Sequence, residues 1–449
     1  MAIALDGKLP ESSPDGLPGQ PRDARFTGPR SRKLASAAKL TADCPSVNGV
    51  PNNGLAPQNF DEDENAVPPL TAAEKSATAV DIESRLVKKS FEHLMSEGPV
   101  AMEYFYARLF AADPDIRTLF PMTMTAQRER AFAALCRLVW SLDDQPGCAE
   151  MLDRLGRDHR RFGVTERHYS TYFATLMDTA QHFIGSDWTP DTAAAWQGML
   201  DRVSATMRAA AERDAQTSPR WWTAEIVSHE LRAPGVAVLR LRPSQPLPYQ
   251  AGQYIPVQVT RWPRVWRRYS VATAPRRDSL LELHVRAVSG GLVSNTLVYH
   301  SDVGDSVLLG AAEGTMTLTD SDRDLLCVAG GTGLAPIKAI IEQALATQLP
   351  GPARKITLFL GARQHFDLYD LDDLQLLESA CPSLRVIPVL SEEPGYNGLT
   401  GRLPDVIRGH GLFENTEAYV CGPAVMVSRT AALLAASIPQ NQLHHDPLI

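Results

Sequence analysis

Residues 267–270 read Arg-Arg-Tyr-Ser, a set of types that suits a flat ring with a charged tail. Alternation along a strand sends the side chains of Arg267 and Tyr269 to the same face. Arg267 offers a planar donor for phosphate, Tyr269 can pack on a ring, and the Ser270 hydroxyl can bond a ring nitrogen. These are the contacts that a flavin nucleotide requires. An ordinary strand with a chance arginine is the alternative.

A glycine turn at residues 290–294, Gly-Gly-Leu-Val-Ser, strengthens the flavin interpretation. It would present backbone N–H groups at the start of a helix, which suits a diphosphate. We therefore expect FAD, with its diphosphate held by Gly291, Val293 and Ser294.

A second glycine run, at residues 330–336, reads Gly-Gly-Thr-Gly-Leu-Ala-Pro and follows an apolar strand predicted at 325–329. Glycine lets the backbone approach a diphosphate, and proline is tolerated in the first turn of the helix predicted to begin near Ile337. A glycine turn made for tight packing is the alternative. The candidate contacts with a nicotinamide nucleotide are Gly331, Thr332, Gly333 and Pro336.

Two later strand ends add candidate contacts. Arg363 places a cation where the adenosine end of the nucleotide could lie, and Arg354 is a second candidate for a 2′-phosphate. Both could equally be solvated, so NADH and NADPH remain open. Cys421, Gly422 and Pro423 end a strand at the edge where such sheets bind ligands. Cys421 could help to place the nicotinamide or could be a buried structural cysteine.

The elements that must position these residues change in type along the chain. Residues 79–216 have a helical pattern almost throughout. Residues 217–320 hold short strands with turn residues between them, typical of a small antiparallel barrel. Residues 321–449 alternate strand and helix, which predicts an α/β domain with a doubly wound parallel sheet. Residues 1–78 are rich in proline and have only two aromatic residues, Phe26 and Phe60, so we expect a disordered tail.

The bulk composition excludes several classes of protein. A chain of 449 residues with 44% hydrophobic residues suggests a multidomain globular protein. A net charge of −8 argues against nucleic acid as a partner. The sequence has no apolar run of the roughly 20 residues that cross a bilayer, no secretory signal pattern and no CxxC pair, so we expect a cytoplasmic location. The oligomeric state is not predicted.

One histidine in the helical region has the setting of a metal ligand. His159 lies on an otherwise apolar helical stripe, and a haem iron needs a neutral imidazole in an apolar pocket. A histidine on such a stripe is also compatible with simple core packing. Other candidate ligands are His93, His168 and His182.

The motifs RRYS, GGLVS, GGTGLAP, GARQHFDLY and CGP resemble the ferredoxin–NADP reductase family from about residue 218 onward. The resemblance implies that Tyr254 contacts the flavin and that Asp446 keeps a carboxylate beside it. Leu448 occupies the place of the aromatic residue with which the family covers the flavin ring. A leucine there implies a looser cover.

With the helical region included, residues 80–449 resemble the bacterial flavohaemoglobins, which join a globin to such a reductase. The resemblance implies that Tyr106 and Gln127 face bound oxygen and that Phe120 wedges the haem. It makes His159 the proximal ligand and Tyr169 the residue that orients it.

Two positions depart from the family pattern. The proximal glutamate of the family falls on Ala211, with Glu212 one residue later, about 100° around the helix. Asp158 replaces the lysine that commonly precedes the histidine. Both changes imply weaker peroxidase-like activation of oxygen. If Glu212 misses the site, His159 gains less imidazolate character and the haem potential should rise.

The resemblance predicts an NAD(P)H-driven nitric oxide dioxygenase that uses haem b and FAD and converts NO and O₂ to nitrate. A haem and FAD oxidoreductase that acts on another acceptor, such as a lipid peroxide or a quinone, is the alternative. A sensor of O₂ or NO is a third possibility, which the intact hydride-donor motifs disfavour.

Overall fold

A computed structural model of the protein describes residues 72–347, 353–411, 413 and 415–446, with side chains from residue 81 onward. The tail predicted for residues 1–78 lies outside this range except for its last residues. The first helix begins at Ala72, so residues 72–78 of the predicted tail are helical. Leu448 also lies outside the described residues.

The N-terminal domain is all helical, as predicted. Its core brings together apolar residues from every helix, and His159 and Gln127 are among the few polar side chains that are fully buried there. The helices are α1 (Ala72–Ser96), α2 (Gly98–Ala112), α3 (Thr125–Trp140), α4 (Gln145–Arg160), α5 (Glu166–Ile184) and α6 (Pro190–Ala215).

Helix α4 is well defined at its start. The Asp144 side chain accepts a hydrogen bond from the backbone N–H of Gly147, and a proline stands in the first turn. The helix ends one residue after His159, and the chain then turns through Gly163, which has a positive φ of 75°. His159 therefore lies in the last turn of its helix.

The middle domain is a six-stranded antiparallel barrel. The strand order is β4-β3-β6-β1-β2-β5, and a bridge between Val271 and Leu283 joins the two edge strands. A short helix, α7 (Leu292–Tyr299), packs on the barrel. The strands are β1 (Trp222–Ala233), β2 (Val236–Pro243), β3 (Tyr254–Val259), β4 (Arg267–Ser270), β5 (Leu281–Arg286) and β6 (Ser306–Leu309).

The C-terminal domain is a parallel sheet with helices on both faces, as the alternation of strands and helices predicted. The strand order is β10-β9-β8-β7-β11-β12. Its strands are β7 (Asp324–Gly330), β8 (Ile356–Ala362), β9 (Leu384–Leu390), β10 (Leu399–Thr400), β11 (Thr416–Cys421) and β12 (Leu443–His444). Its helices are α8 (Leu334–Ala346), α9 (Leu371–Ala380), α10 (Leu403–Gly409) and α11 (Ala424–Leu434).

Two sequence predictions in this domain need correction. Helix α8 begins at Leu334 and not near Ile337, because the glycine run makes a single 3₁₀ turn at Gly331–Gly333 and the helix follows at once. Arg354 cannot meet a 2′-phosphate. It precedes β8 at the amino end of the sheet, is buried, and donates to the Ser321 carbonyl at 3.0 Å, whereas such sheets bind ligands at their carboxyl ends.

None of the helices in the described part of the chain has the length and hydrophobicity needed to cross a bilayer. The five described cysteines are free.

Candidate functional site

His159 and Tyr169 form a buried pair in the helical domain. The Nδ1 atom of His159 lies 3.3 Å from the Tyr169 hydroxyl, and both side chains are almost fully buried. Burial raises the pKa of Tyr169 to about 12, so its hydroxyl stays protonated. A partner at Nδ1 fixes the tautomer of the imidazole and leaves Nε2 as the atom suited to bind a metal.

Tyr106 and Gln127 form a second buried pair in the same core. The Nε2 atom of Gln127 donates to the Tyr106 hydroxyl at 3.2 Å. Burial raises the pKa of Tyr106 far above its usual value, although Gln127 opposes the shift, so the phenol keeps its proton. Since the oxygen of Tyr106 accepts from Gln127, its own O–H can donate to a ligand.

Phe120 packs edge-on against Tyr106, with ring centroids 5.5 Å apart. It is almost fully buried and holds the tyrosine from the side, just after the 3₁₀ turn Pro114–Leu119. The structure thus brings Tyr106, Phe120 and Gln127 together, as the resemblance implied.

Neither of the two residues considered for the proximal carboxylate of the family supplies one to the core. Glu212 is exposed and Ala211, the residue in register, has no polar side chain. The positive charge of Arg208 acts on Tyr169 and opposes the rise of the tyrosine's pKa. Arg208 itself pairs with Glu166 at 2.8 Å. The Tyr169 hydroxyl is a polar partner that the structure places at Nδ1 of His159.

A cavity lies where the helical domain meets the barrel. One wall is the start of α3, including Gln127, and another is the segment after His159, including Phe162. The barrel contributes residues of β4 and the loop before it. Five arginines line the cavity: Arg130, Arg161, Arg264, Arg267 and Arg268.

The donor set of this cavity fits the two expected cofactors. The propionates of a haem and the diphosphate of FAD are anions, and guanidinium groups bind both with paired hydrogen bonds. The buried imidazole of His159 and the apolar core around it fit the haem itself.

The flavin candidates lie on two paired strands. Tyr254 of β3 stands opposite Ser270 of β4, so these side chains share one face of the sheet. Arg267 and Tyr269 share the other face, and Tyr269 packs against the core of the barrel. Burial raises the pKa of Tyr269, which keeps it neutral.

The glycine turn before α7 has the predicted geometry. Gly290 has a positive φ of 69°, and α7 begins at Leu292 with Gly291 as its N-cap. The backbone N–H groups of Val293 and Ser294 therefore lie in the first turn, where an anion is favoured. The Ser294 hydroxyl is held by Gly291 and Val288, so it shapes the turn.

The glycine run after β7 touches the end of β11. A Cβ atom on Gly333 would lie 2.5 Å from the Cys421 carbonyl oxygen, and Gly331 has a positive φ of 55°. Thr332 is partly exposed between them, and Pro336 is buried in the first turn of α8. The turn thus opens toward the carboxyl edge of the sheet, where a diphosphate would bind.

Cys421 and Asp446 lie close to each other at the same edge. Burial raises the pKa of the Cys421 thiol to about 12, and the charge of Asp446 adds to the shift. Asp446 accepts a hydrogen bond from the Thr315 backbone at 3.4 Å, next to Tyr254 and Gly314 of the barrel domain. Gly422 adopts a positive φ of 153°, and Pro423 is exposed beside it. The Asp446 carboxylate therefore faces the barrel, and the neutral thiol of Cys421 lies close to it, at the edge where a nicotinamide would meet a flavin.

A buried ionic cluster that sequence reasoning missed connects the helical domain with the barrel. Glu313 of the barrel domain accepts hydrogen bonds from Arg154 at 2.9 Å and from Arg161 at 3.2 Å. Arg268 of β4 donates to the same carboxylate at 3.2 Å. Burial alone would raise the pKa of Glu313, but the three guanidinium groups outweigh burial and hold it below the usual value. The only available signal was the second arginine of the RRYS motif.

Asp158 belongs to this cluster. Its carboxylate lies 3.4 Å from Arg161 and is largely buried. Arg161 also stacks over the rings of Phe162 and Trp266, with 5.5 and 5.8 Å between its guanidinium carbon and the ring centroids. Asp158, which stands where the family commonly has a lysine, therefore pairs with Arg161 where the helical domain meets the barrel.

Three family models match this chain. A globin matches residues 103–207, an oxidoreductase FAD-binding domain matches residues 222–317, and an oxidoreductase NAD-binding domain matches residues 327–432. The three matches coincide with the three structural domains. The helical domain is thus a globin that binds haem, and the other two bind FAD and NAD(P)H.

The curated relatives each match about half of this chain. The electron transfer component of xylene/toluene monooxygenase from Pseudomonas putida is 34% identical over 46% of this chain and 59% of its own length. Reductase component 1 of terephthalate 1,2-dioxygenase from Comamonas sp. is 33% identical over 50% of this chain and 67% of its own length. The chain spans about three fifths of the length of the first of these relatives.

One solved structure matches across all three domains. The flavohaemoglobin of Malassezia yamatoensis, with bound FAD and haem, is 18% identical, and the match covers 81% of this chain and 98% of that one with a TM-score of 0.65. This likeness shows a shared fold.

Proposed function

We propose that this chain, which belongs to the FAD- and NAD-binding oxidoreductases and carries a globin domain ahead of them, is an NAD(P)H-driven nitric oxide dioxygenase. Two NO and two O₂ would become two nitrate ions as one NAD(P)H is oxidised to NAD(P)⁺ with release of a proton. FAD, when bound, divides the two electrons of a hydride into single electrons, and the haem uses them one at a time.

One observation carries the proposal. Tyr106 and Gln127 are hydrogen-bonded in the globin core, and Gln127 lines the cavity that adjoins the FAD domain. A neutral phenol whose oxygen already accepts a hydrogen bond is a directed donor to a small polar ligand. Such a donor suits dioxygen, whose oxygen atoms gain negative charge on reduction.

Other residues would hold and orient the cofactors. His159 would bind the haem through Nε2, with Tyr169 at Nδ1. Arg267 and the first turn of α7 would hold the FAD diphosphate, and Tyr254, Tyr269 and Ser270 would contact its ring. The glycine turn of β7 and the end of β11 would place the nicotinamide beside Asp446.

The test is NO consumption by purified, cofactor-loaded protein. We expect NADH oxidation that depends on both NO and O₂, with nitrate as the product. Tyr106→Phe should lower this rate roughly tenfold, the effect of losing one hydrogen bond of about 1.4 kcal/mol. Reduction of ferricyanide by the flavin should not change. The control is Tyr299→Phe, at a tyrosine that is half exposed on α7. Nitrate production that is equal in wild type and Tyr106→Phe would refute the role of Tyr106.

A second candidate is a haem and FAD oxidoreductase with another electron acceptor, such as a lipid peroxide or a quinone. The exposed position of Glu212 favours it, because a carboxylate turned toward solvent does not make the imidazole of His159 more basic. NADH oxidation that proceeds with a quinone or a peroxide and is not accelerated by NO would identify this candidate.

A further inference from the structure

The choice between NADH and NADPH depends on the adenosine end of the nucleotide, and the sheet order places that end. Cys421 ends β11 and lies beside Asp446, which contacts the barrel domain, so the nicotinamide belongs on this side of β7. The diphosphate belongs at Gly331–Gly333, directly after β7. The adenosine must then extend the other way, over the carboxyl ends of β8 and β9.

A hydrogen-bonded acid and histidine join those two strand ends. Glu393, after β9, accepts the backbone N–H of His365 at 2.6 Å and lies 2.9 Å from its Nδ1 atom. His365 stands in the 3₁₀ turn after β8. The backbone hydrogen bond from His365, helped by its side chain, holds the pKa of Glu393 below the usual value, so the group is charged at neutral pH.

The cations at this edge are balanced by acids. Arg363 lies 3.9 Å from Asp367, which is also 3.9 Å from Arg286. Among the charged side chains at this edge, Arg363 and Arg286 contribute +2 and Asp367, Glu392 and Glu393 contribute −3, for a net charge of −1 with histidine counted as neutral. A phosphate monoester carries about −1.5 to −2 at neutral pH and would be repelled.

We propose that the Glu393–His365 pair makes NADH the preferred coenzyme of this protein. The carboxylate accepts the ribose 2′-hydroxyl that NADH has and repels the 2′-phosphate of NADPH. The half-exposed ring of Phe366, in the same turn, is available to stack on the adenine. The inference depends on the NAD-binding domain and not on the chemistry of NO.

Coenzyme preference is measured on the full chain with ferricyanide, which takes electrons from the flavin, so a protein inactive with NO still gives a result. We expect wild type to favour NADH over NADPH at least tenfold in kcat/KM. Glu393→Gln should reduce this ratio about tenfold through KM, with kcat at saturating NADH unchanged. Glu393→Lys should reverse the preference. Asp405→Asn, which removes an exposed acid on α10, should leave the ratio as it is.

A binding measurement gives an independent readout. Calorimetric titration with 5′-AMP and 2′-AMP should show that Glu393→Gln gains affinity for 2′-AMP about tenfold. A wild type that prefers NADPH, or a Glu393→Gln variant with an unchanged ratio and unchanged affinity for 2′-AMP, would overturn the proposal.

Discussion

Arg161 of the globin domain donates a hydrogen bond of 3.2 Å to Glu313 of the FAD domain, and both side chains are largely buried. Arg161 stands two residues after His159, so this contact connects the FAD domain with the segment that carries the haem ligand. The two domains are thereby held together beside the cavity that both cofactors would share.

Glu313→Gln is expected to slow electron transfer from flavin to haem. The change removes a charge that faces Arg154, Arg161 and Arg268, and a hydrogen bond to a charged group is worth about 1.5–3 kcal/mol. We expect haem reduction to slow tenfold or more, while flavin reduction by NADH keeps its rate. Stopped-flow absorbance separates the two steps. Asp278→Asn, at an exposed acid of the same domain, is the control.

Equal rates of haem reduction in Glu313→Gln and wild type would contradict this prediction. The pH dependence has a defined sign. Because the pKa of Glu313 is held below its usual 4.5, its contribution to the contact is present above that pH and is lost as the pH falls through the lower folded value.

His159→Ala is expected to abolish stable haem binding. His159 is the buried imidazole of the globin core, and a globin holds its iron through one such ligand. The measurement is the Soret absorbance per FAD after purification, which should fall several-fold. His182→Ala, at a histidine of α5 that stacks on Tyr104 of α2, should keep its haem. Full haem content in His159→Ala would reassign the ligand.

Tyr169→Phe is expected to raise the reduction potential of the haem. The hydroxyl at 3.3 Å from Nδ1 makes the imidazole a stronger donor when it accepts the Nδ1 proton, which stabilises the ferric state. Loss of one hydrogen bond, about 1 kcal/mol, corresponds to roughly 40 mV for one electron. Spectroelectrochemical titration measures the shift, with Tyr104→Phe as control. An unchanged potential would show that Tyr169 only packs against the histidine.

Gly333→Ala is expected to impair the use of NADH. The added Cβ would lie 2.5 Å from the Cys421 carbonyl oxygen, so the turn after β7 and the end of β11 would have to separate. We expect KM for NADH to rise about tenfold in ferricyanide reduction, the equivalent of about 1.4 kcal/mol. Gly409→Ala, where a Cβ meets no atom within 4 Å, is the control. An unchanged KM would show that the close approach has no part in binding.

Local sequence patterns were sufficient to predict the fold class of each domain and to nominate most of the candidate residues. Periodicity distinguishes helix from strand because each element repeats its buried face at its own interval, so the three domains were predictable in order. The glycine motifs were predictable because few other residues tolerate a positive φ or a backbone contact as close as that of Gly333. The start of α8 was missed by three residues, since a 3₁₀ turn has no distinct periodicity.

The sequence by itself determined that a globin-like helical domain precedes a flavin and nicotinamide reductase, and it nominated the tyrosines, glycines and histidines that are candidates for the chemistry. Only the tertiary structure decided how distant charges combine. Glu313 meets Arg161 across 152 positions of the chain, Glu393 meets His365 across 28, and Arg354 turns out to be buried at the amino end of the sheet. Pairing between distant charges leaves no periodic signal in the sequence, because it depends on which loops and strand ends the fold brings together.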